Sequence, residues 1–416
     1  MNPTDKPFAN PNIILRADFD DAAILFHPHL GEAIPVCGVA LDLWRALDGT
    51  RSLAEISRAL SAQYDQAPEV ILEDTLAFAQ DLYRRMFILT EPLTPIPEHI
   101  ERPPHYKLPD DDTTPPPAPV HDVAFELTLA DGSHFILRAQ DTHAERVVAF
   151  FAESARLTQT SKVLKTFEVL VATRPFDSPG EIVCLIDPPN VLRRGMRHLD
   201  AEHKLTFDYA PLSPAHWLWL QLLQLAACIG AQVQARGGIL LHGALAAHPD
   251  LEGLQDLPGL YGVLLTAHSG VGKTTASNRL PAPWVSRCDD TTLIVRDEAG
   301  AYWAHPMPTW SHIFRDEKIR HWDTQSAAPL KAIFLLRQGE RDCATSLSAA
   351  HAMRFLLERA QEPTEYWREN FSLAELGAFN TQLFDNLCAL LQAVPCYLLD
   401  ARVDGEFWVE MERVIG

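Results

Sequence analysis

Short apolar runs and longer segments of helical period succeed one another along the first ninety residues. Ile13-Ile14-Leu15, Ala22-Ala23-Ile24-Leu25-Phe26 and residues 33–36 have the length and composition of strands. Residues 39–47, 53–64 and 69–86 carry helical patterns. The second places Leu53, Ile56 and Leu60 on one face, and the third does so with Ile71, Leu72, Leu76, Phe78, Ala79 and Leu82. Asp48-Gly49 breaks the first helix. Ser52 stands three residues before Glu55, the spacing at which the two cap a helix start reciprocally. The pattern predicts a small module, strands first and helices after, of the winged-helix kind.

Residues 91–119 are dense in proline and charge with little to bury, which predicts an extended tether and a domain boundary. Beyond it the patterns are mainly strand-like to residue 208. Residues 125–129 and 135–137 flank the turn signal Asp131-Gly132 and read as a hairpin, and strands follow at 167–171 and 182–186. Residues 217–234 predict a long apolar helix and residues 239–243 a buried strand. Further on, 330–336 and 395–399 read as strands. Residues 349–360 and 373–391 read as helices, and Phe407, Met411 and Val414 mark one face of a last helix. The fold class expected is α/β, α+β overall, with units at 1–90 and 120–416 joined by the linker.

A length of 416 residues fits two or three domains. The net charge of −20 argues against nucleic acid as partner, because neutralising phosphates takes a basic surface. Seven cysteines far apart, with no CxxC pair, resemble neither a disulfide framework nor a zinc site. With no signal core and no membrane-spanning apolar run, the expectation is a cytoplasmic protein without a membrane partner. Self-association is left open.

The chemistry concentrates between residues 242 and 290. The apolar run Val263-Leu264-Leu265 leads into Ala267-His268-Ser269-Gly270-Val271-Gly272-Lys273-Thr274-Thr275, a phosphate-cradling loop with Ala267 where the first Gly usually stands. Such a loop aims N–H groups at phosphate oxygens, Lys273 would neutralise the β- and γ-phosphates, and the Thr274 hydroxyl would hold magnesium. His242 ends the buried strand upstream. Asp289-Asp290 precede an apolar strand, and on extended backbone they point to opposite faces, so one suits a metal and the other a base. Arg193, Arg194 and Arg197 read as a solvated loop, and residues 297–300 as a hairpin turn.

Two resemblances follow from these residues. The run from Ala23 through the LWRALDGTRSLAEI stretch at 43–56 resembles the PqqD family of peptide chaperones. That resemblance implies that the leader of a ribosomally made precursor peptide is added as a strand on the edge at Ala33, Ile34 and Val36. Leu72, Leu76, Ala79 and Tyr83 would form the helix wall beside it. Pro35 would withhold one N–H from that edge.

His242, the loop and the Asp pair together resemble the HPr kinase/phosphorylase family, a P-loop kinase fold. That resemblance implies ATP and Mg2+ as cofactors and His242, Lys273, Asp289 and Asp290 as catalytic. Thr274 and Asp289 would serve the metal. The Gly-rich acidic signature of the family's reverse reaction is absent, and Asp316 and Glu317 are left as carboxylates for the metal, neither of them assigned to it. The combined expectation is a kinase that phosphorylates a Ser or Thr of a captured precursor peptide. The alternatives are a regulatory kinase acting on a folded carrier protein and a nucleotide-gated scaffold that transfers nothing.

Overall fold

The computed structural model describes residues 1–20, 22–92, 124–160, 167–172, 182–185, 193–199, 205–210, 214–249, 260–268, 270–310, 313, 320–368 and 371–416. Of the predicted linker, residues 93–119 lie outside these.

The N-terminal module contains β1 (Phe8–Ala9), β2 (Ile14–Arg16), β3 (Ala23–His27), β4 (Glu32–Val36), α1 (Gly38–Ala46), α2 (Leu53–Tyr64), α3 (Pro68–Arg84) and β5 (Ile88–Leu89). The strands β2, β3 and β4 make an antiparallel sheet in that order, while β1 pairs β5. Helix α2 starts where the capping signal predicted: the Ser52 side chain accepts from the Glu55 N–H, and Glu55 accepts from the Ser52 N–H. Side-chain alternation divides the sheet. Ala23, Leu25, Ile34 and Val36 face the three helices, whereas Ala22, Ile24, Phe26 and Ala33 face away from them.

That second face is covered by the rest of the chain. All five residues of β3 are buried, as an uninterrupted apolar strand requires. The covering helices are α7 (Ala349–Gln361) and α9 (Leu373–Ala393). Phe26 stacks on Phe384 with ring centroids 4.2 Å apart, and Arg16 pairs with Asp385 at 2.7 Å. Asn380 donates to the Pro28 carbonyl at 2.7 Å and Gln361 to that of Gly31 at 2.8 Å. The two predicted units are therefore packed together through a shared core. Phe26→Ala is expected to cost about 3–5 kcal/mol, the range for emptying a buried aromatic site. A urea midpoint equivalent to less than about 1 kcal/mol would show that this ring is not docked.

The middle of the chain forms β6 (Ala124–Thr128), β7 (His134–Ala139), α4 (Thr142–Ser154), β8 (Thr158–Thr160), β9 (Phe167–Ala172) and β10 (Ile182–Leu185), with sheet order β10-β9-β7-β6-β8. The predicted hairpin is β6 and β7. Helix α4 was not expected: Val147, Val148, Phe150 and Phe151 favour strands by type, but Ala144, Val147, Val148, Phe151 and Ala155 share a helical face in the core. The expectation of a loop for Arg193, Arg194 and Arg197 is corrected, because they lie in β11 (Arg193–Leu199), paired antiparallel with β12 (Leu205–Ala210). Cross-strand pairing overrode the local charge.

After α5 (Pro214–Gln234) comes the large mixed sheet. Its strands are β13 (Ile239–His242), β14 (Ala244–Pro249), β15 (Leu260–Thr266), β16 (Val285–Cys288), β17 (Thr291–Arg296), β18 (Tyr302–Met307), β19 (Ala328–Gln338), β20 (Cys343–Leu347) and β21 (Cys396–Ala401). Helix α6 (Lys273–Arg279) follows β15, α8 (Glu365–Arg368) precedes α9, and α10 (Phe407–Ile415) closes the chain. β15, β19 and β21 are mutually parallel, and the runs Val263–Leu265 of β15 and Ala332–Leu336 of β19 are buried on both faces. Helices α6 and α10 pack with one apolar cluster, and α7 and α9 with another. The chain crosses between β13 and β14 at His242-Gly243 and between β16 and β17 at Asp289-Asp290. Both crossings lie beside the carboxyl end of β15, since Ala244 pairs with Leu265 and His242 with Thr291.

Candidate functional site

The loop from Ala267 to Gly272 leaves β15 and enters α6. Gly270 and Gly272 take φ of +83° and +111°, a region that side-chain-bearing residues rarely adopt. Ala267 is not among the positive-φ residues, so a methyl there costs no backbone strain, and it is fully buried. Lys273 folds back beneath the loop: it is 7% exposed and its Nζ donates to the Ala267 carbonyl at 3.0 Å. His268 is exposed, with its ring against Phe355 of α7 at 4.5 Å between centroids. Val271 is half-buried and accepts from Gln338 Nε2 at 3.1 Å, and Thr274 and Thr275 are exposed on the first turn of α6. Ser269 lies outside the described residues, as do Asp316 and Glu317.

His242 stands beside this loop, its carbonyl held by Thr266 Oγ1 at 2.7 Å. Its two ring nitrogens meet two carboxylates: Nε2 is 2.8 Å from Asp290 Oδ1, and Nδ1 contacts Glu362. Burial opposes a charge on this ring, but the hydrogen bonds to Asp290 and Glu362 outweigh it and raise the pKa above 6.5. With a carboxylate at each nitrogen, the protonated ring, donating from both, is the form these contacts favour.

Asp289 points elsewhere, to Thr309 Oγ1 at 3.2 Å and Arg320 Nη1 at 3.3 Å. Of the two carboxylates, left open in the sequence, Asp290 is the one at His242.

Two members of the cluster had no expectation attached. Glu362 begins the short 3-10 turn Glu362–Thr364 directly after α7, 120 residues from His242. Arg359, with a side chain 7% exposed, pairs with Glu362 Oε1 at 2.7 Å and lies 3.5 Å from the Ala267 carbonyl. Burial works to raise the Glu362 pKa, but the His242 hydrogen bond and the His242, Arg359 and Lys273 charges outweigh it and lower the pKa. Burial also lowers that of Lys273, which Asp290 and Glu362 partly offset. The only sequence signal was a charged pair at i, i+3 spacing across a predicted helix end, which is common on solvated faces.

The two shifts define a pH window. The raised His242 pKa contributes stability that is full below 6.5 and lost as pH rises through the folded value. The lowered Glu362 pKa contributes stability present above 4.5 and lost as pH falls through the folded value. The clamp therefore holds between the two folded values and opens on both sides. Glu362→Gln should lower the His242 pKa observed by NMR titration of its ring, and an unchanged titration would show that Glu362 does not hold the ring.

Among the described residues no group of three or more His, Cys, Asp or Glu is arranged around a metal position. Magnesium bound with a triphosphate asks less of the protein, usually one or two oxygen ligands, with water and phosphate supplying the rest. The Thr274 hydroxyl and the Asp289 carboxylate are donors of that hard-oxygen type. The site also suits an anion: Arg359 Nε is buried with no hydrogen-bond partner, a donor left over beside a glycine loop.

The expected peptide-binding positions separate by orientation. Ile34, Val36 and Ala79 point into the module's own core, because even-numbered β4 residues face its helices and Ala79 lies on the inner face of α3. Their side chains are corrected from peptide contacts to core, and only the β4 main chain remains available there. Ala33 points toward the shared core, Leu72 and Leu76 are half-buried, and Tyr83 is exposed at 43%.

A family model described as SynChlorMet cassette protein ScmC matches residues 207–416, half of the chain. A second, described as Coenzyme PQQ synthesis protein D (PqqD), matches residues 22–88. No curated protein matches the chain. Among the described residues no helix is long and apolar enough to cross a membrane.

Proposed function

Because this chain belongs to the ScmC family and carries a PqqD-like module ahead of that domain, we propose that it is a peptide-tailoring kinase. In this reading it transfers the γ-phosphoryl group of ATP to a Ser or Thr hydroxyl of a ribosomally made precursor peptide held by its module. The observation that carries the reading is the Asp290–His242–Glu362 chain set against Lys273 and a glycine loop. The HPr-kinase-like order of motifs supports it, and so does the fit of the loop to an anion.

Each residue has a separate task. Loop N–H groups and Lys273 hold the phosphates. His242, with both ring nitrogens engaged by carboxylates, fixes the Asp290 carboxylate and, when protonated, adds positive charge near the transferred group. Asp290 takes the proton of the substrate hydroxyl as its oxygen bonds to the γ-phosphorus and the bond to ADP breaks. A magnesium ion, held by Thr274 and Asp289, would neutralise charge shared between the β- and γ-phosphates.

Intact-mass spectrometry of a precursor peptide encoded beside this gene, incubated with the protein and Mg-ATP, tests the reading. A gain of one phosphate, placed on Ser or Thr by fragmentation, is expected. ATP turnover that leaves the peptide unmodified would replace the kinase with a nucleotide-gated scaffold.

A further inference from the structure

Helix α7 belongs to two sites at once. Residues 354, 357, 358 and 361 recur at i, i+3, i+4 and i+7 and share one face at about 3.6 residues per turn. Residues 355, 359 and 362 repeat the same spacing one residue on, about 100° around the axis. The second set is the one already met: Phe355 against His268, Arg359 near the Ala267 carbonyl, and Glu362 on His242.

The first set lines a cavity of about 480 Å³ whose other sides are the outer edge of β4 and the C-terminal end of α3. β4 pairs only with β3 among the described residues, so its outer main chain faces this space. Arg85 bridges from α3 to Glu32 of β4 at 2.8 Å, and opposite it Arg354 lies 3.7 Å from Glu358. Each wall thus presents a cation and an anion, with Leu357 as apolar floor.

We propose that α7 is the second wall of the leader-peptide cleft and ties that cleft to the phosphate loop. The inference rests on the function proposed above for its ligand, an extended leader segment added to β4. Main-chain groups of an unpaired edge favour a strand, and a strand between two walls turns alternate side chains to each. One set of leader residues then meets α3 at Asp81 and Arg85, and the intervening set meets Arg354, Leu357 and Glu358. The PqqD resemblance supplies the edge and α3 only. A helix packed on both ligands conveys the seating of one to the other as a change in affinity, and the effect is reciprocal.

The probe is a synthetic peptide comprising the leader half of that precursor, used with the full-length protein. Photo-crosslinking is run from two positions, Asp81→benzoylphenylalanine and Arg354→benzoylphenylalanine, both lining the cavity and solvent-exposed in the structure. Crosslinks from both, to leader residues of opposite parity, are expected. Crosslinks from position 81 alone would place the leader on the module only and overturn the two-walled cleft. Calorimetric titration of the wild-type protein with Mg-ADP, with and without the leader peptide, tests the tie. An affinity at least about 5-fold tighter with leader present is expected, at the lower end of measured couplings. Equal affinity would overturn it. Absence of any Mg-ADP binding would instead sink the kinase reading, which the crosslinks do not depend on.

Discussion

Asp290→Asn is expected to lower phosphoryl transfer to the precursor peptide by about 10²–10⁴-fold, the usual contribution of a positioned general base. At about 1.36 kcal/mol per decade this is roughly 3–5 kcal/mol of transition-state stabilisation. The amide keeps the size of the carboxylate and can still accept from His242 Nε2 through its carbonyl oxygen, but it cannot take the substrate proton. Removing the charge also leaves the imidazolium with Glu362 as its one anionic partner, so His242 should titrate lower than in the wild type. Leader binding should stay near wild type, since Asp290 does not line the cavity beside β4. Transfer retained within about 3-fold would remove Asp290 from the role of base, and Asp289, now turned to Arg320 and Thr309, would be the next carboxylate to test.

Lys273→Ala should be nearly as severe through a different term. The ammonium is the charge closest beneath the loop, and deleting one preorganised electrostatic contact of this kind costs about 10²–10³-fold in turnover. Nucleotide affinity should fall as well, because the phosphates lose the same contact in the ground state. Burial has already depressed the Lys273 pKa, so the folded protein keeps this charge at some expense, and its removal should not lower the melting temperature appreciably. The decisive pattern is loss of nucleotide binding and transfer with the leader still bound. Unchanged Mg-ATP affinity would show that the loop is not a phosphate site, whatever becomes of the peptide.

How much of this was legible before the tertiary structure depended on range. The Ser52–Glu55 cap, the spans of α2, α7 and α9, the apolar face of α10 and the β6–β7 hairpin were all readable, because each is decided by neighbours a few residues apart. Helix α4 was not, since its β-branched and aromatic residues have strand propensity and only the sheet beneath it selects the helical face. Periodicity likewise marked the third helix and residues 33–36 as half-buried. It could not say that Ile34, Val36 and Ala79 face their own core while Ala33 faces another domain.

The sequence by itself determined the chemical inventory: a glycine loop with its lysine and threonine, a strand-end histidine and a pair of carboxylates, each identifiable because backbone conformation and residue type are local properties. Only the tertiary structure decided how these are wired. It chose Asp290 over Asp289, brought Glu362 across 120 residues to the second nitrogen of His242, and laid α7 between the module and the loop. Those are contacts between distant segments, and they are set by which apolar faces cover one another. A hydrophobic period shows that a face is buried, but not what it is buried against.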